Sequence, residues 1–173
     1  MFVNQFNIYL KKALEILLAF FMMIMILAVV WQVFTRFVLQ DPASYTDELS
    51  RYLLMWIGIL GGAYTYSVKR HLALEMLSSK LDVKGQQILT IIINLIICVF
   101  AAVVLVYGGS EMVSTTLQHG QISPGITFFG DSLKMGYVYL VVPISGVLIL
   151  YYGLFDTCES VISLMSPNHQ AQG

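Results

Sequence analysis

The stretch "ILLAFFMMIMILAVVWQVFT", residues 16–35, contains no charged side chain and decides the fold class of this chain. A helix of about 20 such residues crosses the roughly 30 Å hydrocarbon core of a bilayer. Three further stretches also lack charge: Tyr52 to Val68, Gly85 to Ser110 and Met135 to Phe155. Hydrophobic residues make up 58% of the chain and charged residues 11%, whereas a soluble domain carries about 25% charged residues. The sequence therefore predicts an all-α integral membrane protein, a single domain over residues 1–173, with four transmembrane helices at roughly 14–38, 47–68, 86–110 and 134–156.

The basic residues predict which end of each helix faces the cytoplasm. Lysine and arginine are enriched in the cytoplasmic loops of membrane proteins. On the map of four spans, one side holds Lys11, Lys12, Lys69, Arg70, Lys80 and Lys84, and the other holds Arg36, Arg51 and Lys134. Both termini are therefore expected in the cytoplasm, together with the connector between helices two and three.

That cytoplasmic connector, "VKRHLALEMLSSKLDVKG" at residues 68–85, predicts a short helix of its own. Leu74, Leu77 and Leu81 fall near one helical face, and basic residues flank that face. This pattern is typical of a helix lying in the membrane interface, with its basic groups near anionic lipid head groups. The opposite connector, from Glu111 to Lys134, contains several helix breakers. It holds either a short surface helix or a segment that dips into the membrane.

A charged cluster stands at the start of the second span, in "SYTDELSRYLLMW" at residues 44–56. Ser44 followed by Asp47 resembles a helix capping box, and Arg51 lies within reach of both Asp47 and Glu48 on a helix. One interpretation is a capped, self-paired helix end. The other is a polar anchor shared with Arg36 or with a partner protein. Arg36 in turn either extends its charge to the membrane surface or pairs with this cluster.

Catalytic and cofactor chemistry has little support in this sequence. His71, His119 and His169 all fall in predicted loops or the tail, so an internal haem site lacks its histidine ligands. Cys98 and Cys158 are far apart on the predicted map, which argues against a disulfide framework. Asn94, in the third span, is expected to be a hydrogen-bond donor between helices. We therefore predict no enzymatic activity and no cofactor, and no partnership with nucleic acid.

Two other classes of small membrane protein compete with a purely structural role. A membrane anchor subunit of a respiratory or redox complex would need inward-facing histidines. A small self-sufficient multidrug carrier would need an acidic residue at the centre of its first helix, whereas Glu15 lies near one end. Gly58 and Gly62 instead form a GxxxG spacing, which allows close approach of another helix.

The ordered set of motifs resembles the small membrane subunit, of the DctQ or SiaQ type, of tripartite ATP-independent periplasmic (TRAP) transporters. The resemblance rests on the run from Arg36 to Leu77 and on "SLKMGYVYLVVPISG" near the C-terminus. Together these segments cover most of the chain in the expected order. The positions assigned by this resemblance and by the patterns above to structural or partner-contact roles are Arg36, Asp47, Glu48, Arg51, Trp56, Gly58, Gly61, Gly62, His71 and Glu75.

The resemblance implies a division of labour between three proteins. A large membrane subunit carries the substrate and sodium sites, and an extracytoplasmic binding protein delivers an organic acid, such as sialic acid or a C4-dicarboxylate. The small subunit then has no substrate site of its own. It is expected in the bacterial inner membrane, surrounded by lipid, as a scaffold beside the large subunit.

Overall fold

Long helices and one small hairpin make up the chain in the computed structural model, which describes residues 2–41, 43–78, 83–128 and 131–165. Helix α1 continues into a π-helical turn, and α3 continues through a π-helical segment into α4. The elements in chain order are α1 (Phe2–Phe34), the π-helical turn Thr35–Leu39, α2 (Ser44–Ser78), α3 (Val83–Phe100), the π-helical segment Ala101–Gly108, α4 (Gly109–Gln118), β1 (Ile122–Phe128), β2 (Asp131–Lys134), α5 (Met135–Tyr139) and α6 (Val141–Met165).

Three of the described helical stretches are long and apolar enough to cross a membrane: Asn7–Leu39, Ile88–Gln118 and Met135–Cys158. In each of them at most about a third of the most apolar window is buried inside the chain. Their outward surfaces must therefore face lipid or another protein, because so much exposed apolar area is not tolerated in water. The predicted membrane class is confirmed, with three of the four predicted spans. The remaining long helix, α2, has 35 residues but is less apolar than these three, and its first turns carry charge.

The segment after the second predicted span differs from the prediction. A separate short helix was expected over residues 68–85, but α2 continues without interruption to Ser78. The reason lies in the sequence, since no glycine or proline between Val68 and Ser78 breaks the helical hydrogen bonding. The side chains of His71 and Glu75 lie outside the described part of the structure, as do residues 79–82 altogether.

The connector from Glu111 to Lys134 also has a definite structure. Helical conformation persists beyond Ser110, through α4, to Gln118. An antiparallel pair of strands follows, in which Ile122 is opposite Lys134 and Phe128 is opposite Asp131. The expected short surface helix or membrane dip is thus replaced by the end of a long helix and a β-hairpin, in a chain that is otherwise helical as predicted.

Helix α2 lies between α1 and α6, and α6 also packs against α3 and the π-helical segment that follows it. Small residues allow the closest approaches. A Cβ atom built on Gly146 would lie 2.7 Å from Leu105 Cβ, and one on Gly109 would lie 2.9 Å from a methyl group of Val142. Glycine at these positions therefore lets the helix backbones pack tightly, as is common in membrane bundles.

The turn between α1 and α2 is short and well bonded. Gln40 adopts a left-handed conformation, with φ of 53°, and its N–H donates to the carbonyl oxygen of Thr35, as in a left-handed helix cap. The Thr35 hydroxyl donates to the carbonyl oxygen of Gln32 at 3.0 Å and accepts the Ala43 N–H at 3.5 Å. These bonds hold the end of α1 beside the start of α2.

Candidate functional site at the hairpin end of the bundle

Asp47 connects α1 with α2 at the end of the bundle that carries the hairpin. Its carboxylate accepts a hydrogen bond from the side-chain amide of Gln32 at 2.8 Å and forms an ion pair with Arg51, one turn further along α2. The Arg51 guanidinium, and after it the Gln32 amide, hold the pKa of the Asp47 carboxyl below its usual value. Asp47 is therefore ionised and bonded within the chain.

Glu48 connects α2 with the hairpin. Its carboxylate accepts hydrogen bonds from the Ser123 hydroxyl and from the backbone N–H of Gly125, which lies 3.1 Å from both carboxylate oxygens. The Tyr52 hydroxyl, one turn along α2, donates to Ser123 Oγ at 2.9 Å. Ser123 is fully buried, so this network binds the start of β1 directly onto α2.

Glycine at position 125 is required by this contact. A Cβ atom there would lie 2.9 Å from the carboxyl carbon of Glu48 and 3.0 Å from one carboxylate oxygen. Such distances are below van der Waals contact, so a larger residue would force the strand and the carboxylate apart and weaken the hydrogen bonds between them. From the sequence, Gly125 could be identified only as a helix breaker.

Trp56 packs inside the bundle rather than facing lipid. Its indole N–H donates to the carbonyl oxygen of Val138 at 2.9 Å, and its ring meets Phe21 edge-on with centroids 5.8 Å apart. It thus joins α1, α2 and α5. Trp31, in contrast, is exposed and donates to the Tyr45 hydroxyl at 3.2 Å.

A polar cavity of about 360 Å³ opens between the end of α1 and the start of α2. Among the residues that the structure describes, no hydrogen bond or ion pair engages Arg36, whereas the other charged groups of the cavity are bonded as above. Of the two alternatives for Arg36, the described residues show no ion pair between it and Asp47 or Glu48. The cavity is lined by Gln32, Arg36, Ala43, Ser44, Asp47, Glu48 and Arg51.

Three glycines of α2 face open space. A Cβ atom built on Gly58, Gly61 or Gly62 meets no atom within 4 Å. No other described part of the chain therefore packs on the predicted GxxxG surface. This distinguishes the three from Gly109, Gly125, Gly136, Gly146 and Gly153, where an added Cβ atom would clash.

Polar contacts also occur farther from the hairpin. The Tyr66 hydroxyl donates to Asn94 Oδ1 at 3.0 Å, so the predicted interhelical bond of Asn94 exists, with the asparagine as acceptor. Asp156 on α6 is buried, with only 3% of its surface exposed. Sequence patterns did not single out Asp156 because the residue stands just beyond a charge-free run, where a carboxylate usually reaches water.

Metal coordination has no candidate cluster in the part of the chain that the structure describes, since no three His, Cys, Asp or Glu side chains converge there. His119 contacts the carbonyl oxygen of Thr115 at 2.7 Å. His169 lies outside the described residues.

Long apolar helices held together by a few polar contacts define an integral membrane subunit. Residues 25–162 match the family model described as the DctQ component of tripartite ATP-independent periplasmic transporters. The chain belongs to this family and is a small permease subunit of a TRAP transporter in the bacterial inner membrane.

Curated relatives agree with this assignment over most of their length. A TRAP transporter small permease protein of Haemophilus influenzae is 29% identical over 143 residues, which are 82% of this chain and 83% of the relative. The sialic acid TRAP transporter small permease protein SiaQ of Vibrio cholerae is 24% identical over 151 residues, 87% of this chain and 80% of the relative. A second small permease protein of H. influenzae is 26% identical, with 86% and 85% covered. The alternative class, a redox anchor subunit, receives no support from these matches.

Proposed function

We propose that this chain is a scaffold that holds the stationary part of a large TRAP membrane subunit in the bilayer, while that large subunit carries the substrate and sodium sites. The observation that carries the proposal is the open glycine surface of α2. Gly58, Gly61 and Gly62 have helical backbone and no intrachain neighbour at their Cβ positions. Glycine lowers helix propensity by about 1 kcal/mol relative to alanine, so a packing partner outside the chain gives these glycines a role.

In this proposal helix α2 also crosses the membrane, which brings the number of transmembrane helices from three to four. Its residues from Tyr52 to Val68 carry no charge, and it packs along both α1 and α6, which are apolar enough to span. With four spans and the basic residues distributed as described, both termini face the cytoplasm. The hairpin end then faces the periplasm, where the extracytoplasmic binding protein docks.

Of the charged residues Asp47, Glu48 and Arg51 at the start of α2, only Arg51 is proposed as a partner contact. Asp47 is bonded to Gln32 and Arg51, and Glu48 to Ser123 and Gly125. Both carboxylates therefore hold elements of this chain together at the periplasmic end and are not the groups that contact a partner. Arg51 keeps 68% of its side chain exposed. It is the member of the cluster best placed to contact the large subunit or the binding protein.

An organic acid is the proposed substrate of the complete transporter, with sodium as the coupling ion. The sialic acid named for the V. cholerae relative is one candidate, and a C4-dicarboxylate is another. Substrate recognition would reside in the partner proteins.

Co-expression with the neighbouring large subunit tests the scaffold role. The double substitution Gly58→Leu with Gly62→Leu adds bulk to the open surface of α2. It should abolish co-purification of the large subunit and sodium-dependent uptake by the reconstituted complex. The matched control Val147→Leu adds bulk to an exposed position of α6 and should preserve both.

Two results would contradict the proposal. One is normal co-purification and uptake with the doubly substituted α2. The other is sodium-dependent uptake of organic acids by the purified small subunit alone, since a scaffold has no transport site.

A further inference from the structure

The cavity at the junction of α1 and α2 combines a cation that has no partner among the described residues with a polar lining. Its other charged groups are engaged: Asp47 by Arg51 and Gln32, and Glu48 by hydrogen bonds from the hairpin. Arg36 is left as the one charge of the cavity without a hydrogen bond or ion pair to any described residue. Arg36 is therefore the charged group of the cavity that is available to bind an anion.

An apolar stripe extends along the exposed side of α1 from Arg36 toward the N-terminus of the helix. Val33, Val29, Ile26 and Met22 stand 3, 7, 10 and 14 residues before Arg36, which places them on one helical face. Their exposed fractions are 50%, 42%, 54% and 48%. The ten residues from Arg36 to Ile26 span about 15 Å at about 1.5 Å per residue, which equals half of the roughly 30 Å hydrocarbon core.

An anion site directly above an apolar stripe of this length matches the shape of a phospholipid. We infer that the cavity binds the phosphodiester head group of a phospholipid through Arg36, with one acyl chain of the lipid lying along Val33, Val29 and Ile26. A guanidinium binds phosphate oxygens through two parallel hydrogen bonds. Ala43, just before the long helix α2, and Ser44, its first residue, also line the cavity, and a helix start favours negative charge.

A lipid fits these features better than an acidic protein segment does. A carboxylate from a partner would satisfy Arg36 but would leave the stripe uncovered. The side chain of Phe37, the neighbour of Arg36, is 74% exposed, so apolar surface continues up to the guanidinium. Trp31, earlier on α1, donates a hydrogen bond to Tyr45 near the start of α2 at 3.2 Å, and such aromatic side chains are enriched at the membrane interface.

Native mass spectrometry of the full chain in detergent tests the site, with phosphatidylglycerol as the probe. Diacylglycerol with the same acyl chains, which lacks the phosphate, is the comparison, and glycerol 3-phosphate is the soluble source of the same anion. We expect phosphatidylglycerol to bind at least about tenfold more tightly than either compound. Arg36→Gln should reduce its affinity about tenfold, the usual effect of losing a charge-assisted hydrogen bond.

Two controls separate this site from general attraction to the protein. Lys134→Gln removes another exposed cation at the hairpin end, outside the cavity, and should leave lipid affinity unchanged. Val29→Ser with Val33→Ser should weaken lipid binding while Arg36 stays in place. The same exchange at Val99 and Val103, which are exposed on another helix, should not weaken it.

Several outcomes would overturn the inference. Equal losses from Arg36→Gln and Lys134→Gln would indicate nonspecific attraction, and unchanged affinity in Arg36→Gln would remove the anion site. If diacylglycerol bound as tightly as phosphatidylglycerol, the phosphate would contribute nothing to binding. If glycerol 3-phosphate bound as tightly as the lipid, the acyl chains would contribute nothing. Loss of a partner protein from the complex of Arg36→Gln, with bound lipid retained, would assign the cavity to an acidic protein segment instead.

Discussion

The Glu48 carboxylate and the Gly125 backbone N–H meet at 3.1 Å although 77 positions of sequence separate them. This contact, with the Ser123 hydroxyl beside it, determines where the hairpin sits on the helix bundle. The two neighbouring carboxylates thus have different partners, because Asp47 is bonded to Gln32 on α1 and Glu48 is bonded to Gly125 on β1.

Replacing Gly125 should destabilise the hairpin end. In Gly125→Ala the new methyl group would lie 2.9 Å from Glu48, so we expect a loss of about 1–3 kcal/mol, the usual cost of overpacking. Denaturant unfolding in detergent micelles measures this loss. The matched variant Gly58→Ala adds the same methyl group to open space and should change stability by less than about 1 kcal/mol. Equal stabilities of the two variants would contradict the contact.

Glu48 and Ser123 should be energetically coupled. Glu48→Gln replaces a charged acceptor with a neutral one, and Ser123→Ala removes a donor to Glu48. Each should lower stability by about 1–3 kcal/mol, because bonds to charged groups are the stronger ones and the site is partly buried. In the double variant the losses should fail to add, with a coupling energy of about 0.5–3 kcal/mol. A double-mutant cycle measured by unfolding provides the value. Additive losses would show that the two residues act independently.

Trp56 should contribute more to stability than Trp31. Trp56→Phe removes the hydrogen bond to the Val138 carbonyl oxygen and part of the contact with Phe21, and should cost about 1–2 kcal/mol. Trp31→Phe, at an exposed position, should cost less than about 0.5 kcal/mol. Melting temperatures of the two variants in the same detergent compare them. The reverse order would place Trp56 at the lipid surface.

The Asp47 carboxyl should titrate with a pKa below the ordinary aspartate value of 3.8, because Arg51 and Gln32 stabilise its charged form. The direction of the pH dependence follows from this lowered pKa. The contact stabilises the fold fully above the unfolded-state pKa of about 3.8, and this contribution is lost as the pH falls through the folded-state pKa. The carboxyl ¹³C chemical shift of Asp47, followed with pH, gives the midpoint. In Arg51→Gln this midpoint should move upward, and an unchanged midpoint would exclude the ion pair as its main cause.

The membrane helices were predictable because burying backbone in lipid demands long, charge-free helical runs. The run at residues 16–35 and the run from Gly85 both became parts of longer helices. The helix ends were less predictable. The absence of glycine and proline between Val68 and Ser78 permits a continuation of α2, but the basic flanks and the leucine stripe of residues 68–85 suit a separate helix equally well.

The contacts of the candidate site were the least predictable part. The spacing of Asp47 and Arg51 predicted their ion pair, since both lie on one helix. Glu48 also lies within helical reach of Arg51, three residues before it, yet its partners are Ser123 and Gly125. Long-range contacts of this kind depend on where the hairpin folds back, and helical periodicity carries no information about that.

Helix α2 has one mechanical consequence for a transporter subunit. Its 35 residues measure about 52 Å at about 1.5 Å per residue, compared with a hydrocarbon core of roughly 30 Å. One unbroken helix therefore begins close to the charges of Asp47 and Arg51 and ends at Ser78, well past Val68. Because a continuous helix tilts as one body, a partner that binds one end and changes its tilt also moves the residues at the other end. A contact at one membrane surface therefore affects positions at the opposite surface.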